Sequence, residues 1–129
     1  MAIRVVRLGS PRAPDEGVRI GTVRRPPRGV RKEEFGTRDY YDTWLPELSP
    51  SPDLVTRAQA AETDRDRAAF ARAYRAEMKV PAAQHLLGLL ATLSRHTDLS
   101  VGCYCEDETR CHRSALRGLL AEAGAELTT

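Results

Sequence analysis

The chain has no hydrophobic run approaching the roughly 20 residues that a membrane-spanning helix needs, which excludes an integral membrane protein of the helical kind. Its start, Met1 to Leu8, alternates arginine with aliphatics and lacks the apolar stretch of about 7 to 15 residues found in a secretory signal. The expected location is therefore the cytoplasm. Cysteine is scarce and odd in number, with all three copies at positions 103, 105 and 111. Such a set cannot close the disulfide framework that a small secreted fold requires, so reduced thiols are expected. Aromatics make up only 5% of the 129 residues, which leaves the core to Leu, Val and Ala. What remains, 41% hydrophobic and 29% charged, is ordinary for one soluble core.

The formal charge of +2 conceals an asymmetry: residues 1–38 carry ten Lys/Arg against four Asp/Glu, and residues 39–129 carry ten against fourteen. Eight of the basic residues lie between Arg12 and Arg38, in a stretch whose prolines and glycines break any long helix. Within residues 1–38, Ile3–Leu8 and Val18–Val23 place β-branched residues at near-alternate positions and read as strands. A short helix is expected around Tyr40–Leu45, and then a rigid turn at Leu48-Ser49-Pro50-Ser51-Pro52.

The middle of the chain, 39–96, reads as helical. Thr63 and Asp66 form a capping-box pattern ahead of Phe70, Tyr74 and Met78, which recur every four residues. Pro81 suits the first position of a second helix, carrying Leu86, Leu87, Leu90 and Leu93 inward as far as about Arg95, with His85 on its flank. From Leu99 to Cys105 the period turns to two, placing Leu99, Val101, Cys103 and Cys105 on one face of a buried strand. A last helix follows, with Ala115, Leu116, Leu119 and Leu120 on one side and Gly124 past its end. The order implies an α/β fold: a single compact domain over 1–129, with a small β-sheet covered by helices. Its parts are a basic strand-and-loop segment 1–38, a helical middle 39–96, and a strand-loop-helix motif over 97–124.

The densest chemistry runs from Cys103 to Arg113, where a strand hands over to a helix. Such junctions bind ligands in α/β proteins. With Thr109 as cap, Arg110, Cys111, His112 and Arg113 fill a first helical turn, whose free N–H groups favour anions and lower the pKa of a thiol. Cys111 and His112 are thus the candidate catalytic pair, as nucleophile and proton carrier, with Arg113 holding an anion. Glu106, Asp107 and Glu108 oppose an anionic ligand unless they face solvent or pair with arginines of the N-terminal segment.

The metal alternative draws on Cys103, Cys105, Cys111 and His112, a three-sulfur, one-nitrogen set that suits tetrahedral zinc. Against it, a regular strand holds Cys103 and Cys105 roughly 6.5 Å apart, and buried free cysteine is commonly plain core packing. No motif calls for another cofactor. The second candidate is Arg24-Arg25-Pro26-Pro27-Arg28-Gly29, where prolines fix the backbone and guanidinium groups suit phosphate or carboxylate. Asp42 and Trp44 stand just beyond it, the aspartate as a salt-bridge partner rather than a base.

Together these motifs are quite specific: Arg24 with Pro27-Arg28-Gly29 and Lys32, Asp42-Thr43-Trp44-Leu45 leading to Leu48-Ser49-Pro50-Ser51, Phe70-x3-Tyr74-x2-Glu77-Met78, and Cys103-Tyr104-Cys105 with Cys111-His112-Arg113. Over nearly its whole length the chain resembles domain-of-unknown-function family 488, which includes YeaO-like proteins, and in particular the branch with a C-x-C and C-H-R signature. The resemblance implies a compact α/β fold and directs attention to the two arginine-bearing segments, without implying a particular reaction.

Three functional readings follow. In the first, Arg24, Arg28 and Arg113 meet around the helix start and bind an anionic small molecule or nucleotide, with Gly29, Asp42, Trp44, Cys103 and Cys105 in supporting places. In the second, the basic N-terminal segment engages nucleic acid or an acidic partner protein. A zinc-stabilised structural domain is the third. No reading involves a membrane.

Overall fold

The computed structural model describes residues 1–105, 107–108 and 111–128. Four strands, β1 (Ile3–Arg7), β2 (Val18–Gly21), β3 (Thr43–Trp44) and β4 (Leu99–Cys103), form one sheet in the order β1-β4-β2-β3. Every pairing is parallel, with β4 in the centre: Leu99 lies opposite Ile3 on one side and Val18 on the other. Between β3 and β4 run α1 (Pro52–Ala60), α2 (Asp64–Glu77) and α3 (Pro81–Ser94), and α4 (His112–Glu122) follows β4. Past α4, Leu127 bridges in parallel to Ile3, so the chain finishes beside the β1 edge.

Local signals explain the helix starts. Thr63 and Asp66 make both bonds of a capping box at the head of α2. Ser51 caps α1 by accepting from the Leu54 N–H, with Pro52 at the first position, and Pro81 opens α3 in the same way. Gly124, at φ +94°, closes the end of α4.

The two faces of the sheet are covered differently. Ile3, Ile20, Leu99 and Val101 pack with Phe70 and Tyr74 of α2, Leu87 and Leu90 of α3, and Leu116 and Leu120 of α4 in one apolar core. Each such side chain contributes about 1.5–3 kcal/mol on burial, and the buried Tyr74 hydroxyl is satisfied by donating to the Leu48 carbonyl at 2.7 Å. The other face, bearing Arg19, Gly21, Ser100 and Gly102, lies under irregular chain from residues 9–17 and 35–42. There the fully buried Arg19 pairs with Glu16 at 2.6 and 2.9 Å, and donates to the Ser10 and Asp39 carbonyls at 2.8 and 2.6 Å. Gly21 is required for closeness: a Cβ there would lie 2.4 Å from the Tyr41 ring.

Several expectations are corrected. Residues 40–45 hold no helix; Thr43 and Trp44 form β3, because they pair with Ile20 and Gly21, a non-local partner that local pattern does not reveal. The Pro/Ser cluster follows a short 3-10 turn, Pro46–Leu48, and leads directly into α1, whose start is Pro52. Leu93 is not inward but exposed, as is Leu89. β4 ends at Cys103, so Cys105 does not share its face and is exposed.

Candidate functional site

Because all four strands are parallel, their C-terminal ends meet at one edge of the sheet. From β2 the chain leaves toward β3, while from β4 it leaves through α4 toward the β1 side. Parallel sheets commonly bind ligands where connections part in this way, here beside the ends of β4 and β2. The backbone ladder runs slightly past the strands at this point: the Thr22 N–H and hydroxyl both donate to the Gly102 carbonyl, at 2.9 and 3.0 Å. Cys103 faces the helical side, and α4 begins next to it, with Cys111 as N-cap and His112 as first residue. Thr109 and Arg110, expected as cap and first turn, lie outside the described residues, as does Glu106.

His112 is buried against Tyr74, ring centroids 5.3 Å apart. Its Nε2 sits 2.8 Å from the Thr22 carbonyl, which can only accept, so Nε2 carries the proton and Nδ1 keeps a lone pair. That lone pair faces the Cys111 Sγ at 3.5 Å. Burial pushes the imidazole pKa down to about 4, more than its bond to Thr22 raises it, so the ring is neutral at physiological pH. Cys103 and Cys111 are also buried, and the potential ligand atoms of Cys103, Cys111 and His112 lie within 4.8 Å of one another.

The three thiols lie near enough to shift one another's titration. Interaction with Cys103 and Cys111 holds Cys105 far below the ordinary thiol range; interaction with Cys105 and Cys111, then burial, drives Cys103 up. At Cys111 the interaction with Cys103 lowers the pKa, but the interaction with Cys105 and burial reverse this, to about 11. The sequence points to Cys111 as the lowered thiol; the structure assigns that place to Cys105. Cys111 is itself the N-cap residue and is buried, so the helix start does not present it to solvent.

The arginine-bearing segments do approach each other. The Tyr104 hydroxyl donates to the Arg25 carbonyl at 2.8 Å, tying the 24–29 loop to the chain leaving β4, and the Trp44 Nε1 clamps the same loop at the Val23 carbonyl, 2.6 Å away. Arg113 is 3% exposed; its guanidinium donates to the Cys105 carbonyl at 2.5 Å, and its buried Nε finds no partner among the described residues. Arg24 instead reaches the Pro50 and Ser49 carbonyls, at 3.2 and 3.4 Å. Arg28 is exposed, and no hydrogen bond ties it to the described residues around Cys111; Gly29, at φ +70°, turns the loop in open space.

Asp42 does pair with an arginine, but with Arg12 at 2.8 Å, and it also accepts from the Arg19 backbone N–H. Burial pushes its carboxyl up, and those bonds more than offset it, leaving the pKa lowered. In the acidic loop, Glu108 pairs with Arg117 of α4 at 2.8 and 2.9 Å, rather than with the N-terminal arginines.

Three residues at the site escape sequence reading. Thr22 and Tyr74 matter through what they orient and pack, and Arg67 lies beside a cavity of about 20 Å³ that it shares with Phe70, Cys111 and Ser114. The Arg67 Nη1 is buried without a partner among the described residues. Only Tyr74 had a sequence signal, the four-residue spacing with Phe70.

Fold and site together define a parallel α/β domain with a thiol-imidazole cluster and a buried arginine at the C-terminal edge of its sheet. The chain belongs to the DUF488 family: residues 3–124 match the family model DUF488-N3a, described as the active DUF488-N3 subclade. Comparison with curated proteins and with solved structures finds no match. Among the described residues no helix is long and apolar enough to cross a membrane.

Proposed function

We propose that the protein binds an anionic small molecule, phosphate- or carboxylate-bearing or a nucleotide, beside the ends of β4 and β2. The observation that carries this reading is Arg113. A guanidinium buried without a hydrogen-bonded carboxylate partner costs several kcal/mol; among the described residues its one hydrogen bond goes to a backbone carbonyl, while Glu108 and the Cys105 thiol feel its charge without bonding to it. A ligand's negative charge supplies the missing partner, and the adjacent start of α4 favours the same sign. Arg28, exposed on the tethered loop, and Arg24 below it add positive potential over the same edge. On this reading the protein works in the cytoplasm, a reducing compartment that suits its three free thiols.

The test is calorimetric titration with pyrophosphate and with a nucleoside monophosphate, on the native protein and on Arg28→Ala and Arg113→Met. Saturable binding, weakened about tenfold or more in both variants with the fold retained, is the expected result. Absence of binding to the native protein, or equal affinity in both variants, overturns the reading. A second reading rests on the exposure of Arg24, Arg25, Arg28, Arg31 and Lys32: this face engages nucleic acid or an acidic protein, and its mark is steep loss of binding with salt.

A further inference from the structure

We propose that Cys103, Cys105, Cys111 and His112 bind one zinc-class divalent ion through three thiolates and the imidazole Nδ1. A tetrahedral zinc ion sits about 2.3 Å from sulfur and about 2.0 Å from nitrogen, which puts three sulfurs and one nitrogen roughly 3.5–3.8 Å from one another. The donor atoms of Cys103, Cys111 and His112 already lie within 4.8 Å of each other. Small side-chain adjustments close the remaining gap. Cys105 can complete the set because β4 stops at Cys103; two residues further on, the chain has left the strand, and the exposed Cys105 thiol, outside the tight cluster of the other three, stays near enough to interact with Cys103 and Cys111 and to swing in. The objection that a regular strand would hold Cys103 and Cys105 apart does not apply to this geometry.

The orientation of His112 is a second, independent observation. Metal-bound histidine commonly donates its other ring N–H to a backbone carbonyl or carboxylate, which fixes the tautomer and aims the lone pair. The Nε2–H on the Thr22 carbonyl at 2.8 Å is such an arrangement, and it leaves Nδ1 toward the thiols. Access argues the same way. Cys111 and His112 are each 5% exposed, and the cavity beside Cys111, about 20 Å³, holds about one water and no substrate. Buried thiols around a neutral imidazole are placed to hold an ion, while the exposed Cys105 gives it a way in. Three sulfurs and one nitrogen favour zinc over the hard cations. Each thiol that ligates releases its proton to solvent, and Nδ1, already unprotonated, releases none. A loaded centre ties the end of β4 to the first turn of α4.

The experiment is metal analysis of the reduced, full-length protein as isolated, followed by cobalt(II) substitution of the native chain and of Cys105→Ser. Cys105 is exposed, so this variant retains its fold, checked by circular dichroism. One zinc per chain is expected, with tetrahedral cobalt bands and a thiolate charge-transfer band in the native protein. Cys105→Ser is expected to weaken metal affinity by on the order of tenfold or more and to reduce the charge-transfer band. Arg28→Ala leaves both unchanged, which separates this site from anion binding. Substoichiometric zinc with no tetrahedral cobalt spectrum, or native metal affinity in Cys105→Ser, overturns the proposal.

Discussion

Replacing Glu16 by Gln keeps the shape of that side chain and removes the carboxylate that, among the described residues, pairs with the Arg19 guanidinium. The guanidinium is fully buried and makes two bonds to Glu16, while Glu16 also accepts from the Ala13 N–H at 2.9 Å and the Ser100 hydroxyl at 2.8 Å. Breaking one side of a buried, hydrogen-bonded pair typically costs about 3–5 kcal/mol, because the other charge is left without compensation. For a chain of this size that corresponds to a fall in Tm of roughly 10–20 °C. Chemical denaturation of Glu16→Gln, Arg19→Met and the double variant forms a cycle. The double variant is expected to cost less than the summed single losses by about 2 kcal/mol or more, since removing both charges removes the uncompensated one.

The same pair has a pH signature. Burial raises the Glu16 carboxyl, but the bonds from Arg19, Ala13 and Ser100 outweigh it and hold the group below its ordinary 4.5. Its stabilisation is complete above that ordinary value and is lost as pH falls through the lower, folded one. Glu16→Gln abolishes this part of the acid slope. A cost below about 1 kcal/mol for Glu16→Gln, or strict additivity in the cycle, refutes the reasoning.

Gly21→Ala drives a methyl into the Tyr41 ring, 2.4 Å away, and disturbs its edge contact with Phe35; a loss of about 1–3 kcal/mol is expected from denaturant midpoints. A change within about 0.5 kcal/mol would show that Tyr41 moves freely. In the metal-free protein, His112 stays neutral down to about pH 4, whereas a free imidazole protonates near 6.5. The native state therefore binds fewer protons across that window, and stability declines on acidification by about 3 kcal/mol in total. Denaturation at pH 7 and near pH 4 checks this, with His112→Asn losing that share of the slope.

The readable parts of the fold are those whose signals are local. The Thr63–Asp66 capping box, Pro81 at a helix start and the period-two run from Leu99 carry their structure in adjacent residues, and each formed. What stayed hidden depended on distant partners. β3 is two residues long and exists because Ile20 and Gly21 lie beside it. The Ser51-Pro52 start of α1 was locally legible as cap and first position, yet the surrounding prolines read more strongly as a turn. At the site, the strand-to-helix junction and its Cys, His and Arg residues could be named in advance. The end of β4 at Cys103 could not, and it decides where Cys105 points. Nor could Thr22, whose contribution to orienting His112 is a backbone carbonyl that any residue type would supply.

The strand made last is the one in the middle of the sheet. Ile3 and Val18 both pair with Leu99, so β1 and β2 do not bond to each other and have no common neighbour until β4 is present. During synthesis, the first three strands can build only the short β2–β3 ladder, and β1 remains an unpaired apolar strand for most of the chain's emergence. Closing such long-range contacts late is slow and leaves edges open to other chains. A truncation ahead of Leu99 takes away the centre of this sheet and leaves three strands with no common neighbour.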